Sequence, residues 1–158
     1  MSDFEFNSNR IEEIIAEKGE IMTCSSGLSM YPMLRNRKDM VVIVKPESRP
    51  KRHDVVLYRT GKKVLLHRII KDLGSEYIIR GDNRFNKEYG ITESDIFGIL
   101  KGFYRNGKYI DCKTNKLYKA YIIYNRLSLP FRFIWRKLWK GFIVRAFSKI
   151  KRTLFKKK

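Results

Sequence analysis

Val64–Asn83 reads VLLHRIIKDLGSEYIIRGDN. Two apolar, β-branched runs, Val64–Ile70 and Tyr77–Ile79, are split by a polar turn containing Gly74 and closed by Gly81. Runs this short and this rich in Val, Ile and Tyr fit strands rather than helices. The same pattern continues on both sides. Glu20–Thr23, Met40–Val44, Val55–Tyr58 and Ile96–Tyr104 are further short apolar runs, separated by Pro46, Pro50, Gly61, Gly102 and Asn106-Gly107. Closely spaced strands with polar turns predict a mostly β fold built on a partly closed antiparallel sheet. Asn106-Gly107, between Phe103-Tyr104 and Tyr109-Ile110, predicts a two-residue hairpin, because both central residues of that turn take positive φ. Ahead of the sheet, Arg10–Lys18 predicts a short amphipathic helix with Ile11, Ile14 and Ile15 on one face and Gly19 as its stop.

The chain of 158 residues is long enough for one domain with a buried core and an appendage. An apolar fraction of 43% excludes a disordered polymer. The net charge of +19 is concentrated at one end: residues 113–158 hold 15 Lys/Arg and no Asp or Glu. The other 20 basic residues are set against all 16 acidic ones, which leaves 1–112 at +4. The reading is a nearly balanced domain, 1–112, followed by a cationic tail, 113–158.

Cys24 and Cys112 show no CxxC or Cys/His ligand spacing, so neither a metal nor any other cofactor is expected. Two free thiols are the expected state. The first residues, MSDFEFNSNRIEEII, lack the basic start and apolar core of a secretory signal. No apolar run reaches the ~18 residues of a spanning helix.

The tail has its own pattern. LYKAYIIYNRL predicts a helix ending near Pro130. Beyond it Phe131, Ile134, Trp135, Leu138, Trp139, Phe142, Ala146, Ile150 and Leu154 recur at helical spacing, with Arg132, Arg136, Lys137, Lys140, Arg145, Lys149 and Arg152 between them. Residues 113–158 also hold 10 of the 21 aromatics. A basic amphipathic helix with Trp and Phe on one face lies in a bilayer interface, its cations near anionic headgroups. The expectation is a peripheral anchor, through residues 117–158, on an anionic membrane at its cytoplasmic face. Binding of nucleic acid or an acidic partner peptide, and simple packing of the tail on the domain, are the alternatives.

Three places could carry chemistry. Ser29 lies in SSGLSMYPML (25–34), where Gly27 permits unusual backbone angles and Pro32 stiffens the far side, either as an ordinary turn residue or as a presented hydroxyl. A serine hydroxyl becomes a nucleophile only with a base to take its proton and N–H donors to hold the resulting oxyanion. His67 lies inside an apolar strand, where a polar group needs a partner, and an imidazole suits a general base. The alternative is a solvent-facing strand histidine. Asp82 follows in Arg80-Gly81-Asp82-Asn83, either as an ordinary Asx turn or as the carboxylate that fixes an imidazole. His53, in a Lys/Arg/Asp-rich turn, is read as structural or solvated.

Taken in order, SGLSMYPML, RHDVVLY, LLHRII and YIIRGDNR resemble the signal-peptidase family of serine endopeptidases, over about Glu20 to Gly102. The resemblance implies a coiled, mostly antiparallel β domain with a shallow substrate groove, and the removal of a signal, leader or propeptide. Ser29 would be the nucleophile. His67 would be the base, as in the branch of the eukaryotic reticulum and archaea, which pairs serine with histidine. Asp82 would be the third member, with Glu88 as the alternative acid. The Ser29 N–H would supply an oxyanion donor, with Ser26 and Gly27 lining the same loop. Met30 and strand residues such as Val42 would line a tight apolar pocket for small side chains before the cut.

The family usually has a spanning helix before its nucleophile; the 28 residues before Ser29 are polar. A cytoplasmic tail would put the active site on that face too, where a leader or propeptide is the expected substrate. The related self-cleaving repressors share the serine loop but use lysine as base and carry an upstream DNA-binding region with a cleavable dipeptide, and neither of these last two is read in the 28 residues before Ser29. An inactive β domain that binds membrane or nucleic acid through its tail is the alternative from a different class.

Overall fold

A computed structural model of the protein describes residues 8–61 and 63–155. Helix α1 (Ser8–Lys18) leads into strands β1 (Glu20–Cys24), β2 (Met40–Val44), β3 (Val55–Thr60), β4 (Lys63–Asp72), β5 (Tyr77–Arg80), β6 (Glu88–Ile91), β7 (Ile96–Arg105) and β8 (Lys108–Asp111), and then helix α2 (Lys116–Phe155). The strands form one antiparallel sheet in the order β1-β2-β7-β3-β4-β5-β6, with β8 also paired to β7. The fold is mostly β: a curled antiparallel half-barrel with a helix at either end of the sequence.

Why the sheet curls follows from its register. Pairing shifts interrupt β2–β7 at Val42/Ile43, β3–β7 at Leu57/Tyr58, β4–β5 at Ile69/Lys71 and β5–β6 at Tyr77/Ile79. Each extra residue bends its strand and adds local twist. The hairpin read at Asn106-Gly107 joins β7 to β8, with φ of +52° and +76° at its two central residues.

Both faces of the sheet are covered. One carries a cluster including Ile11, Ile15, Met33, Leu34, Val41, Ile43, Val55 and Leu57; the other carries Val56, Tyr58, Ile69, Tyr77, Ile79, Ile91 and Ile96. Successive residues of a strand point to opposite faces. A strand covered on both sides therefore reads as a continuous apolar run. That is why Val55, Val56, Leu57 and Tyr58 are all buried. Helix α1 seals the first face with Ile11 and Ile15 and stops at Gly19, whose φ is +76° and whose N–H bonds the Ile15 carbonyl at 3.0 Å. Full burial of each such aliphatic side chain contributes about 1.5–3 kcal/mol.

The chain divides into two compact units, the first running to Ile122 and the second starting at Ile123. The expected border at 112/113 is displaced because the start of α2 belongs to the first unit. There Tyr118 is buried against Phe103, with ring centroids 6.5 Å apart. The expected helix end near Pro130 is also corrected: α2 continues through that residue. A proline inside a helix forfeits one backbone hydrogen bond. The apolar positions expected from Phe142 to Leu154 lie outside the residues whose side chains are described. Cys24 and Cys112 are free thiols. Burial raises the Cys112 thiol to about 11, so it is a poor nucleophile at neutral pH.

Candidate active site

The loop carrying Ser29 leaves β1 and returns to β2. It is tied at its base: the Ser25 N–H donates to the Asp39 carbonyl at 2.8 Å and the Arg37 N–H to the Ser25 carbonyl at 2.7 Å. Its outgoing limb is fixed by the Gly27 N–H on Asn36 Oδ1, 3.0 Å. Gly27 has φ +84°, the left-handed region that glycine adopts at no steric cost. Asp39 is fully buried and clasped by two arginines, Arg35 Nε at 2.9 Å and Arg105 NH2 at 2.7 Å. Burial alone would raise its carboxyl; the hydrogen bonds from Arg105 and Arg35 outweigh burial and hold it below the ordinary carboxylate range. Arg105 also donates to the Met33 carbonyl at 2.6 Å, which fastens the loop to β7.

At its tip the loop meets the turn after β5. The Asn83 N–H donates to the Ser29 carbonyl at 2.7 Å, and Asn83 Nδ2 to the Leu28 carbonyl at 3.1 Å. Gly81 stands between Ser29 and His67. A Cβ added there would lie 2.8 Å from the Ser29 carbonyl oxygen and 3.1 Å from His67 Nε2. Only a residue without a side chain lets the serine loop and the imidazole come this close.

His67 is buried on β4, opposite Val56 of β3. Its Nδ1 lies 3.0 Å from Glu88 Oε1 and 3.0 Å from the Tyr58 hydroxyl. The Tyr58 hydroxyl in turn donates to Glu88 Oε2. With the tyrosine proton directed to Glu88, the network assigns the imidazole proton to Nδ1, facing the carboxylate and the phenol oxygen. Nε2 then presents a lone pair and has no hydrogen-bond partner among the described residues. Burial acts to raise the Glu88 carboxyl, but hydrogen bonds from His67 and Tyr58 outweigh it and keep Glu88 ionised below the usual range. Burial, and then the bond to Glu88, push the Tyr58 hydroxyl well above the ordinary phenol range, so it stays a donor.

Asp82 does not face the imidazole. Its two oxygens accept Arg68 Nε at 2.9 Å and Arg68 NH2 at 2.8 Å, and both residues are buried. Arg68 NH1 also donates to the His53 carbonyl at 2.8 Å and to the Tyr118 hydroxyl at 3.0 Å. The carboxylate at Nδ1 is that of Glu88, the alternative acid, while Asp82 engages Arg68. Sheet parity is the cause. His67 and Arg68 are consecutive on β4 and point to opposite faces. Arg80 pairs Arg68, and Asp82, two residues on, keeps that parity. Ile69 pairs Ile79, and Ile79 pairs Glu88, which keeps the parity of His67. The sequence alone does not single out Tyr58; its signal is its place on β3, one diagonal step from His67 on the same face.

Beside Ser29 opens an apolar cleft of about 120 Å³. Ser26, Gly27, Leu28 and Met30 of the serine loop line it together with Leu34, Val41, Ile43 and Leu57, among others. Met30 is placed as expected. Val42 is replaced by its neighbours Val41 and Ile43, because alternation along β2 turns those two to the covered face. His53 holds φ +80°, and its N–H bonds the Ile69 carbonyl at 2.9 Å, so it serves the turn before β3.

Comparison of the sequence with protein-family models gives no match, and comparison with curated proteins gives none either.

Proposed function

We propose that the protein is a serine endopeptidase of signal-peptidase type that removes a signal, leader or propeptide, with Ser29 as nucleophile, His67 as general base and Glu88 as the carboxylate that orients it. One observation carries this reading. A buried imidazole is held at Nδ1 by Glu88 and Tyr58, and its unpartnered Nε2 borders the glycine that touches the Ser29 backbone. This is the arrangement a general base needs. The carboxylate fixes the tautomer and stabilises the imidazolium that forms, without itself taking the proton.

The chemistry follows from the residues. His67 Nε2 removes the Ser29 Oγ proton as Oγ attacks the scissile carbonyl. The C–O bond forms, and the carbonyl oxygen becomes an oxyanion facing the N–H groups of the Ser29 loop. His67 passes its proton to the leaving amine, the C–N bond breaks, and an acyl-serine remains. Water, deprotonated by His67, then attacks the acyl carbon; the bond from that carbon to Ser29 Oγ breaks, Oγ takes the proton from His67, and the acid leaves. Nε2 has no hydrogen-bond partner among the described residues, and contacts between a base and its nucleophile often form or tighten only in the substrate complex. The small apolar cleft suits short side chains before the cut, and the exposed Leu28 and Tyr31 flank the serine for contacts along the substrate.

The test is a paired digestion. Wild type and Ser29→Ala are each incubated with a pool of leader-bearing peptides, and products are read by mass spectrometry. Cleavage by wild type alone, after small residues, is expected. Equal cleavage by both removes Ser29 from the mechanism.

A further inference from the structure

Helix α2 carries bulky apolar side chains that nothing in its own unit covers. Ile123, Leu127, Phe131, Ile134, Trp135 and Leu138 are each between 54% and 74% exposed. At 100° per residue they fall within an arc of about 120°, with Arg126 and Arg132 outside it. Trp139 stands beside Trp135, with ring centroids 6.0 Å apart, at the margin of the same face. Because α2 runs unbroken through Pro130, Ile123 and Trp139 belong to one stripe rather than to two short helices.

We infer that this stripe seats α2 in the surface of an anionic bilayer, parallel to it, with the aromatic rings at the level of the headgroups. Several observations select this occupant. Residues 113–158 contribute 15 cations and no acid, so two copies placed face to face would repel each other with no acid to pair. A lipid surface supplies negative charge around an apolar interior, which matches both halves of the helix. A phosphate backbone would leave the aliphatic residues Ile123, Leu127, Ile134 and Leu138 in water. Among the described residues no helix is long and apolar enough to cross a membrane, so the seating is interfacial. The inference stands apart from the peptidase reading, and Ser29→Ala would bind vesicles as wild type does.

The protein carries its own reporter, since Trp135 and Trp139 are its 2 tryptophans. The full chain is titrated with phosphatidylcholine vesicles with and without phosphatidylglycerol, and with anionic vesicles whose acyl chains are brominated. The expected result is a blue shift and bromine quenching with anionic vesicles, and binding at least about tenfold weaker without anionic lipid. Leu127→Glu with Leu138→Glu, both exposed and therefore compatible with the fold, should weaken vesicle flotation by a similar factor while helicity is unchanged. Absence of bromine quenching overturns the inference. So does displacement from vesicles by a single-stranded oligonucleotide, or self-association that shields the tryptophans without lipid.

Discussion

Glu88 Oε1 lies 3.0 Å from His67 Nδ1, although Glu88 is 21 positions further along the chain and Asp82, nearer in sequence, is buried on Arg68 instead. The imidazole thus has one nitrogen engaged by a carboxylate and the other open toward the serine loop.

The two carboxylates should respond differently to amide substitution. In Glu88→Gln the new amide can donate to Nδ1, which places the imidazole proton on Nε2, the wrong nitrogen for a base. We expect kcat to fall on the order of 10⁴-fold with the fold retained. Asp82→Asn leaves Arg68 buried without its charge partner, which costs about 3–5 kcal/mol of stability. Its kcat, corrected for the folded fraction, should fall far less than that of Glu88→Gln. Urea unfolding and steady-state kinetics on both variants check this pair of outcomes.

Tyr58→Phe removes the hydroxyl shared by His67 and Glu88. Glu88 then loses one of the bonds that lower its pKa and moves up toward the ordinary range. Loss of one orienting hydrogen bond, about 0.5–1.5 kcal/mol, predicts a decrease in kcat of roughly tenfold or less. An NMR titration of the Glu88 carboxyl in wild type and variant reads the shift directly.

Gly81→Ala brings a methyl group 2.8 Å from the Ser29 carbonyl oxygen and 3.1 Å from His67 Nε2. The first of these is backbone and cannot swing aside. Displacing reacting groups by about an ångström costs on the order of 10² in rate, and overpacking costs about 1–3 kcal/mol. Kinetics should show a larger relative effect than the unfolding midpoint does.

Asp39 sets a pH dependence of stability. Its folded pKa lies below the ordinary carboxylate value, so its contribution is complete above the unfolded pKa of about 3.9 and is lost as pH falls through the lower, folded one. Wild type should exceed Asp39→Asn in thermal midpoint at pH 7, and the gap should shrink below about pH 4. A gap that stays constant down to pH 2 would show that the arginine clasp does not depend on the charge.

Much of this architecture is legible in the sequence. Met40–Val44, Val55–Tyr58 and the Asn106-Gly107 hairpin announce themselves because β-branched residues and a positive-φ turn are local properties. Strand β6 does not. Glu88-Tyr89-Gly90-Ile91 contains one β-branched residue and a glycine at φ +70°, and is held by pairing with β5 rather than by propensity. Glu88 sits at its start, so the sequence offers it only as the alternative acid to Asp82 and does not show which face it takes. Ser29 and His67 gain their weight from their order along the chain with Gly81-Asp82-Asn83, since a serine in a Gly/Ser loop or a histidine in a strand is ordinary by itself. Asp82 attracts the role through its turn motif, yet its direction is fixed by sheet parity, which only the register reveals. Pro130 misleads for the opposite reason: its local cost is real, but the rest of α2 outweighs it.

The most direct test of the Ser29–His67 pairing needs no natural substrate. The protein is mixed with an activated peptide ester, quenched rapidly with acid, and the peptide containing Ser29 is examined by mass spectrometry, with His67→Ala in parallel. The account predicts an acyl group on Ser29 in wild type and its loss in His67→Ala. An unmodified Ser29 in wild type, or equal acylation in the two proteins, would contradict it.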